Sequence, residues 1–384
     1  MDKPASDGPI DAAGLLTRRA LLRYGVQGSA AMFAILAVGR GGVRESRAQG
    51  AAKKLTGPLN VLAWEGYDDP AIVKPFEDKY GVKVNVKVVS GNNVQLDQIR
   101  AGAIQFDVAN PDATWVETFA KSGLLEPINA ADYPNLQQMF KPFRQFAPNH
   151  FEGKLYGVPI RWGINGIVHW PDKLSVADAS DGNSLWDKKF KGRISHRDWY
   201  DLHILLTGLY LGYKKPWTLD GDDLAKVTKR LVELKPNIRS IHLDSGGVKT
   251  DLANGDAWIV WGSSSNDVTT TLKLAGKNVV LTIPKQGGAV WTEALSMVKG
   301  AKNVETAKAY LDYMTSAETQ AKMAWSKNKK IAVCNELVKN HLTAEQFKTL
   351  DLDKAELWVG EGVMSEAPVN NEAWKKAWQQ YKSA

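Results

Sequence analysis

The chain has 384 residues, 44% of them hydrophobic and 24% charged, with a formal net charge of +7 and one cysteine. That balance excludes wholesale disorder, a collagen-like repeat and a disulfide scaffold, and at about 150 residues per domain it suggests two or three domains. Cys334 can form neither an internal disulfide nor a multi-cysteine metal site, and it reads as a structural buried thiol. No apolar run of about eighteen residues marks a multi-span membrane protein. Tryptophan is in excess, with 14 residues or about 3.6% of the chain against a usual ~1%. Such an excess can fill a core or line a binding cleft.

The chain opens on an export pattern. Arg18 and Arg19 form a twin-arginine run with Arg23 behind it, and an apolar stretch follows over residues 24–38. That stretch is too short to cross a bilayer comfortably. Ser46-Arg47-Ala48 then puts small residues at the two positions that a signal peptidase reads. Residues 1–48 resemble a bacterial Tat signal cleaved after Ala48; the alternative is a basic surface helix followed by a linker. The segment carries seven basic and four acidic residues, so removing its +3 from the total of +7 leaves +4. That is too mild to imply nucleic acid, and no basic cluster has nucleic-acid motif spacing.

Residues 59–64 read as a buried strand and 69–79 as an amphipathic helix with Pro70 near its first turn. Residues 82–89 alternate valine and polar side chains, as a half-buried strand does. A helix over 94–101, a short strand over 106–109 and a helix over 115–122 follow, the last closed by Gly123. This βαβαβα order predicts a parallel sheet with helices on both faces. A second such passage starts near Ile194, with helices over 202–211 and 224–234 and strands over 258–261 and 279–283. Helices over 304–314 and 317–326 come late, and no internal repeat is visible. The mature chain therefore reads as two α/β lobes plus a helical tail.

Dinucleotide-binding, Walker and Gly-Xaa-Ser-Xaa-Gly motifs are all absent. The six histidines show no zinc-site spacing; His196 and His203, seven apart, read as exposed or capping residues. What stands out is an aromatic residue beside an acid or hydroxyl at three places. These are Trp64-Glu65-Gly66-Tyr67, Trp261-Gly262-Ser263 and Trp291-Thr292-Glu293. In open α/β sheets, ligands sit beyond the carboxyl ends of strands, where aromatics can grip an apolar body or a cation. For any one tryptophan, plain core packing is the alternative. Asp198 and Asp201 are spaced i, i+3, so both carboxylates can share a face of a helical first turn, to bind or to cap.

From residue 59 to about 335 the chain resembles the periplasmic solute-binding proteins of ABC transporters, in their spermidine/putrescine-binding branch. The carrying blocks are LNVLAWEGY from Leu59, FEDKYGVKV from Phe76, FDVANP from Phe106, Gly157-Val158-Pro159 with Trp162-Gly163, and PKQGG from Pro284. The resemblance implies a two-lobed periplasmic-binding-protein fold (type II), α/β, with mixed sheets flanked by helices and a ligand cleft between lobes. It places lobe one at 55–160 plus about 291–345, lobe two at 163–286, and a C-terminal helical tail at 346–384.

For the site, the resemblance implies that Trp64 and Tyr67 form an aromatic pair after the first strand. Asp112 and Thr114 fall where the family has a serine and a tyrosine. Asp198 and Asp201 match amine-binding acids, and Trp261 and Trp291 match tryptophans that flank a methylene chain. Glu293 stands where an aspartate binds an inner ammonium. Near Asn335 the family's tyrosine is missing, with Lys330 or Ile331 close to its place. Arg161 and Trp162 lie by the interlobe crossing, where Arg161 would favour a zwitterion. The implied protein is a periplasmic, Tat-exported, monomeric receptor that binds a small amine, hands it to an inner-membrane permease, and has no cofactor and no catalytic activity. The alternatives are a receptor for another amine or zwitterion (an aminophosphonate, 4-aminobutyrate) and a periplasmic enzyme using Asp198 and Glu293 as acid and base.

Overall fold

A computed structural model describes residues 55–384 apart from residue 328; the signal expected at 1–48 lies outside the described residues. Leu59–Ala63 (β1) is apolar almost throughout, as befits a parallel strand covered on both faces. Pro70–Tyr80 (α1) starts where the Asp69 carboxylate accepts the Ala71 N–H, and it stops at Gly81, whose φ of 66° is left-handed. Val84–Val88 (β2), Asn92–Ala101 (α2), Val108–Ala109 (β3) and Val116–Lys121 (α3) follow. β2 and β3 both pair with β1 in parallel.

Val158–Asn165 (β4) is buried along its whole length and runs through Gly166 into Ile167–His169 (β5). Next come Ile194–Arg197 (β6), Tyr200–Tyr210 (α4), Gly221–Leu234 (α5), Ile238–His242 (β7) and Ser245–Ala253 (α6). Ile259–Trp261 (β8), Ser265–Leu274 (α7) and Val280–Thr282 (β9) complete that passage. Ala289–Met297 (β10), Val304–Thr315 (α8), Ala317–Ala324 (α9), Ala332–Val333 (β11), Val363–Met364 (β12) and Asn371–Ser383 (α10) finish the chain.

The strands form a seven-stranded sheet, β11-β4-β10-β3-β1-β2 with β12 on β10, and a five-stranded sheet, β9-β5-β8-β6-β7. Neither is the all-parallel sheet that the βα order predicts. β10 runs antiparallel to β3 and β4, and β5 antiparallel to β8 and β9. These antiparallel strands flank the two passages between the sheets and enter from the opposite direction. The change of sheet also falls later than residue 163, because β4 stays paired to β10 as far as Asn165–Ala289. At the crossing a Cβ on Gly166 would lie 2.7 Å from the Thr282 carbonyl oxygen, so the two crossing segments meet main chain to main chain. The N-terminus of α7 pins this point: Asn266 Oδ1 accepts the Ile164 N–H at 2.8 Å, and Ser265 Oγ accepts the Gly166 N–H at 3.1 Å.

Each sheet has its own core. α10 carries Trp374, Ala377, Trp378 and Tyr381, spaced i, i+3, i+4, i+7, and buries them against α4 and α5 in the core of the five-stranded half. The end of the chain is thus built into the second core. Cys334 is buried in the first.

Candidate ligand-binding site

The turn between β6 and α4 supplies one wall of a cleft. The chain leaves β6 at Arg197, passes Asp198 and the extended Trp199, and enters α4 with Asp201 in its first turn. A carboxylate there faces the positive end of the helix, and its Oδ1 accepts the Leu202 N–H at 3.0 Å. The other wall comes from the seven-stranded sheet, with Trp64 just past β1, Asp112 just past β3, and Trp291 and Glu293 in β10. Trp291 lies flat on β4 because its register partner is Gly163; a Cβ there would sit 2.6 Å from the indole ring. The cleft encloses about 720 Å³.

The walls touch at its mouth. Trp64 and Trp199 meet edge to face with centroids 6.4 Å apart, and Trp199 Nε1 donates to the Ser90 carbonyl at 3.2 Å. Ser245 Oγ at the start of α6 donates to the Glu65 carboxylate at 3.2 and 3.3 Å. Seven of the lining residues are acidic (Glu65, Asp112, Asp198, Asp201, Asp244, Glu293, Glu366) against four that are basic (Arg197, Lys329, Lys375, Lys382). Acids thus outnumber cations along the cleft although the whole chain is positive.

The acids differ in what already holds them. Glu293 is gripped by Arg161, opposite it on β4, through Nε to Oε2 at 2.7 Å and Nη2 to Oε1 at 2.9 Å. The Tyr67 hydroxyl adds a bond to Oε2 at 2.8 Å, and its ring lies 4.2 Å under the guanidinium. Burial opposes the Arg161 cation, but Glu293 and Tyr67 overcome it and hold its pKa above the ordinary value. Asp198 receives Lys382 Nζ at 2.9 Å and the Trp378 indole N–H. The Asp112 carboxylate accepts the Asn92 amide at 2.9 Å, and burial pushes its pKa up to about 8, with the negative charges of Glu293 and Asp201 adding to the rise. Burial also raises Asp201, to about 6. Neither Asp112 nor Asp201 has a cationic partner among the described residues.

Residues 71–329 match the family model described as bacterial extracellular solute-binding protein. The chain belongs to that family. The putrescine-binding periplasmic protein of Escherichia coli is 27% identical over 278 residues, 68% of this chain and 74% of its own. That of Pseudomonas aeruginosa is 27% identical over 304 residues, 75% of this chain and 81% of its own. Among solved structures, the spermidine/putrescine substrate-binding protein of Streptococcus pneumoniae superposes with a TM-score of 0.66 at 19% identity, covering 85% of this chain and 99% of its own. The fold is the two-lobed periplasmic-binding-protein fold, and its lobes are built on the two sheets described above.

In this solute-binding protein, six of the nine residues singled out from sequence line the cleft: Trp64, Asp112, Asp198, Asp201, Trp291 and Glu293. Three do not. Trp261 is fully buried in the second core, its ring 4.7 Å from His203 and 6.2 Å from Trp186, because β8 is an inner strand and Trp261 faces α4. Thr114 is nearly buried behind the wall, and its hydroxyl donates to the carbonyl of Ser365, which lines the cleft. Tyr67 lies beneath Arg161. The tryptophans therefore do not occupy equivalent strand ends: Trp64 follows β1, Trp261 ends β8 and Trp291 lies inside β10.

His196 and His203 are neither exposed nor capping. They are buried with rings 4.4 Å apart, and burial lowers both pKa values, that of His203 to about 4. His196 Nε2 meets the Tyr381 hydroxyl at 2.7 Å. Sequence reading passed over Arg197, Trp199, Asn92 and Lys329, which also line the cleft. Trp199 sits between Asp198 and Asp201, and the aromatic-beside-acid pattern used elsewhere would have found it. Among the described residues no cluster of His, Cys, Asp and Glu could hold a metal ion, and no helix is long and apolar enough to cross a membrane.

Proposed function

We propose that this solute-binding protein captures a small organic amine of the putrescine class in the periplasm and delivers it to the permease of an ABC transporter. The supporting observation is the pair Asp112 and Asp201, two carboxylates without a cation, in a cleft walled by Trp64, Trp199 and Trp291. An ammonium leaves water only for a charged, hydrogen-bonding partner, and indole faces cover its methylene chain. The periplasmic putrescine-binding relatives support the same reading. The zwitterion reading rests on Arg161, whose guanidinium is taken by Glu293. We also propose export by the Tat route and hinge motion of the lobes about the strands that cross between them.

Calorimetry of the mature protein with putrescine, spermidine, 4-aminobutyrate and an aminophosphonate tests the ligand. Putrescine or spermidine should bind saturably without turnover. Asp201→Asn should weaken that binding by about thirtyfold or more, the loss for one partner of a buried charge pair. Equal binding by parent and variant would remove the site, and binding of 4-aminobutyrate or the aminophosphonate alone would remove the ligand class. For export, Arg18→Lys with Arg19→Lys should stop the mature form appearing outside the cytoplasm; unimpaired export would indicate the Sec route.

A further inference from the structure

Lys382 reaches the cleft from the last turn of α10, and that helix is fixed along its length. Trp374 Nε1 donates to the Leu219 carbonyl at 2.8 Å, Trp378 and Tyr381 are buried, and Lys235 Nζ meets the Tyr381 and Lys382 carbonyls at 3.3 and 2.8 Å. The Lys382 ammonium lies 2.9 and 3.3 Å from the two Asp198 oxygens. Trp378 Nε1 donates to the same carboxylate. Asp198 is a lining acid three residues before Asp201, and its anchor already contains a primary ammonium at the end of a methylene chain. Chemically that is one end of a polyamine, supplied by the protein itself.

We propose that Lys382 is a resident counter-cation that sets the charge of the ligand this cleft selects. The inference rests on the amine reading above and narrows it. With Lys382 on Asp198 and Arg161 on Glu293, Asp112 and Asp201 are left to hold one ammonium; of the other lining acids, Glu65 and Asp244 are exposed and Glu366 is half-buried. A further ammonium of a longer ligand that reaches Asp198 would meet a carboxylate already neutralised and the Lys382 charge beside it. The cleft thus discriminates against triamines that extend to that wall, and the discriminating residue comes from the last turn of α10.

The test compares putrescine and spermidine on full mature proteins by calorimetry, with thermal unfolding to confirm folding. Lys382→Met keeps the methylene packing and removes the charge. It should raise the ratio of spermidine to putrescine affinity about tenfold or more, the scale of one partly buried charge pair gained by the ligand. Lys382→Arg should keep the parental ratio. Adding Asp198→Asn to Lys382→Met should cancel the gain, which a merely structural role for Lys382 would not do. A parent that binds putrescine, with the same ratio in Lys382→Met, overturns this inference and leaves the receptor reading standing. A parent that binds no amine overturns both.

Discussion

Asp112 is the residue on which the chemistry of the cleft turns. It is half-buried and faces the negative charges of Glu293 and Asp201, while the Asn92 amide and the more distant Arg161 favour its ionised form. With its pKa near 8, the empty folded protein holds this proton at a pH where the unfolded chain has lost it. The stability it contributes is full below the ordinary aspartate range near 4 and is lost as the pH rises towards 8. A bound ammonium favours the carboxylate and expels the proton. At pH 7, calorimetry in buffers of different ionisation enthalpy should therefore show proton release on amine binding, and Asp112→Asn should abolish it. The ligand-induced rise in Tm should also grow between pH 6 and 9. A buffer-independent binding enthalpy would show that Asp112 does not take up the ligand's charge.

The aromatic and acidic residues of the first strand end and of the β6–α4 turn were legible in the sequence because their chemistry is local. The pairing that neutralises Glu293 was not, since Arg161 lies 132 positions away and meets it only through the β4–β10 register. At the scale of elements the same division holds. α1, β2 and α2 announce themselves through caps and periodicity, each within a dozen residues. β4 and β10 are buried on both faces and carry no alternation to read. Their antiparallel pairing is long-range, so the local βα order misled. α10 is legible as an amphipathic helix from Trp374, Ala377, Trp378 and Tyr381, but nothing local names the core it enters. Trp261 failed for a related reason: strand-end position in the sequence does not tell which side of an inner strand a side chain takes.

At the scale of the molecule, the cleft is closed by few contacts. The Trp64–Trp199 pair, the Trp199–Ser90 bond and the Ser245–Glu65 bond join the walls at the mouth; elsewhere the two halves meet at the chain crossings and through the Thr270 hydroxyl, which donates to the Thr349 carbonyl at 3.2 Å. Hinge closure of this kind sets affinity through the balance between open and closed forms. Trp199→Ala removes the Trp64–Trp199 pair and the Trp199–Ser90 bond, and with them a partly buried side chain at the margin of the second core. It should increase the radius of gyration of the unliganded protein in small-angle scattering and weaken amine binding about tenfold, while thermal unfolding stays cooperative at a somewhat lower Tm. An unchanged scattering profile would show that the mouth contacts do not hold the lobes together.

The second core begins with β5 and is finished only by α10, after the chain has built most of the other lobe. During synthesis, Trp374, Trp378 and Tyr381 therefore leave the ribosome well after the strands and helices they cover, and the second lobe cannot complete its packing until α10 has emerged. A chain interrupted before α10 would keep the residues of the first core and leave the second without Trp374, Ala377, Trp378 and Tyr381. The same last turn carries Lys382 to the cleft. Completion of the second core and the charge presented to the ligand are thus tied to one helix.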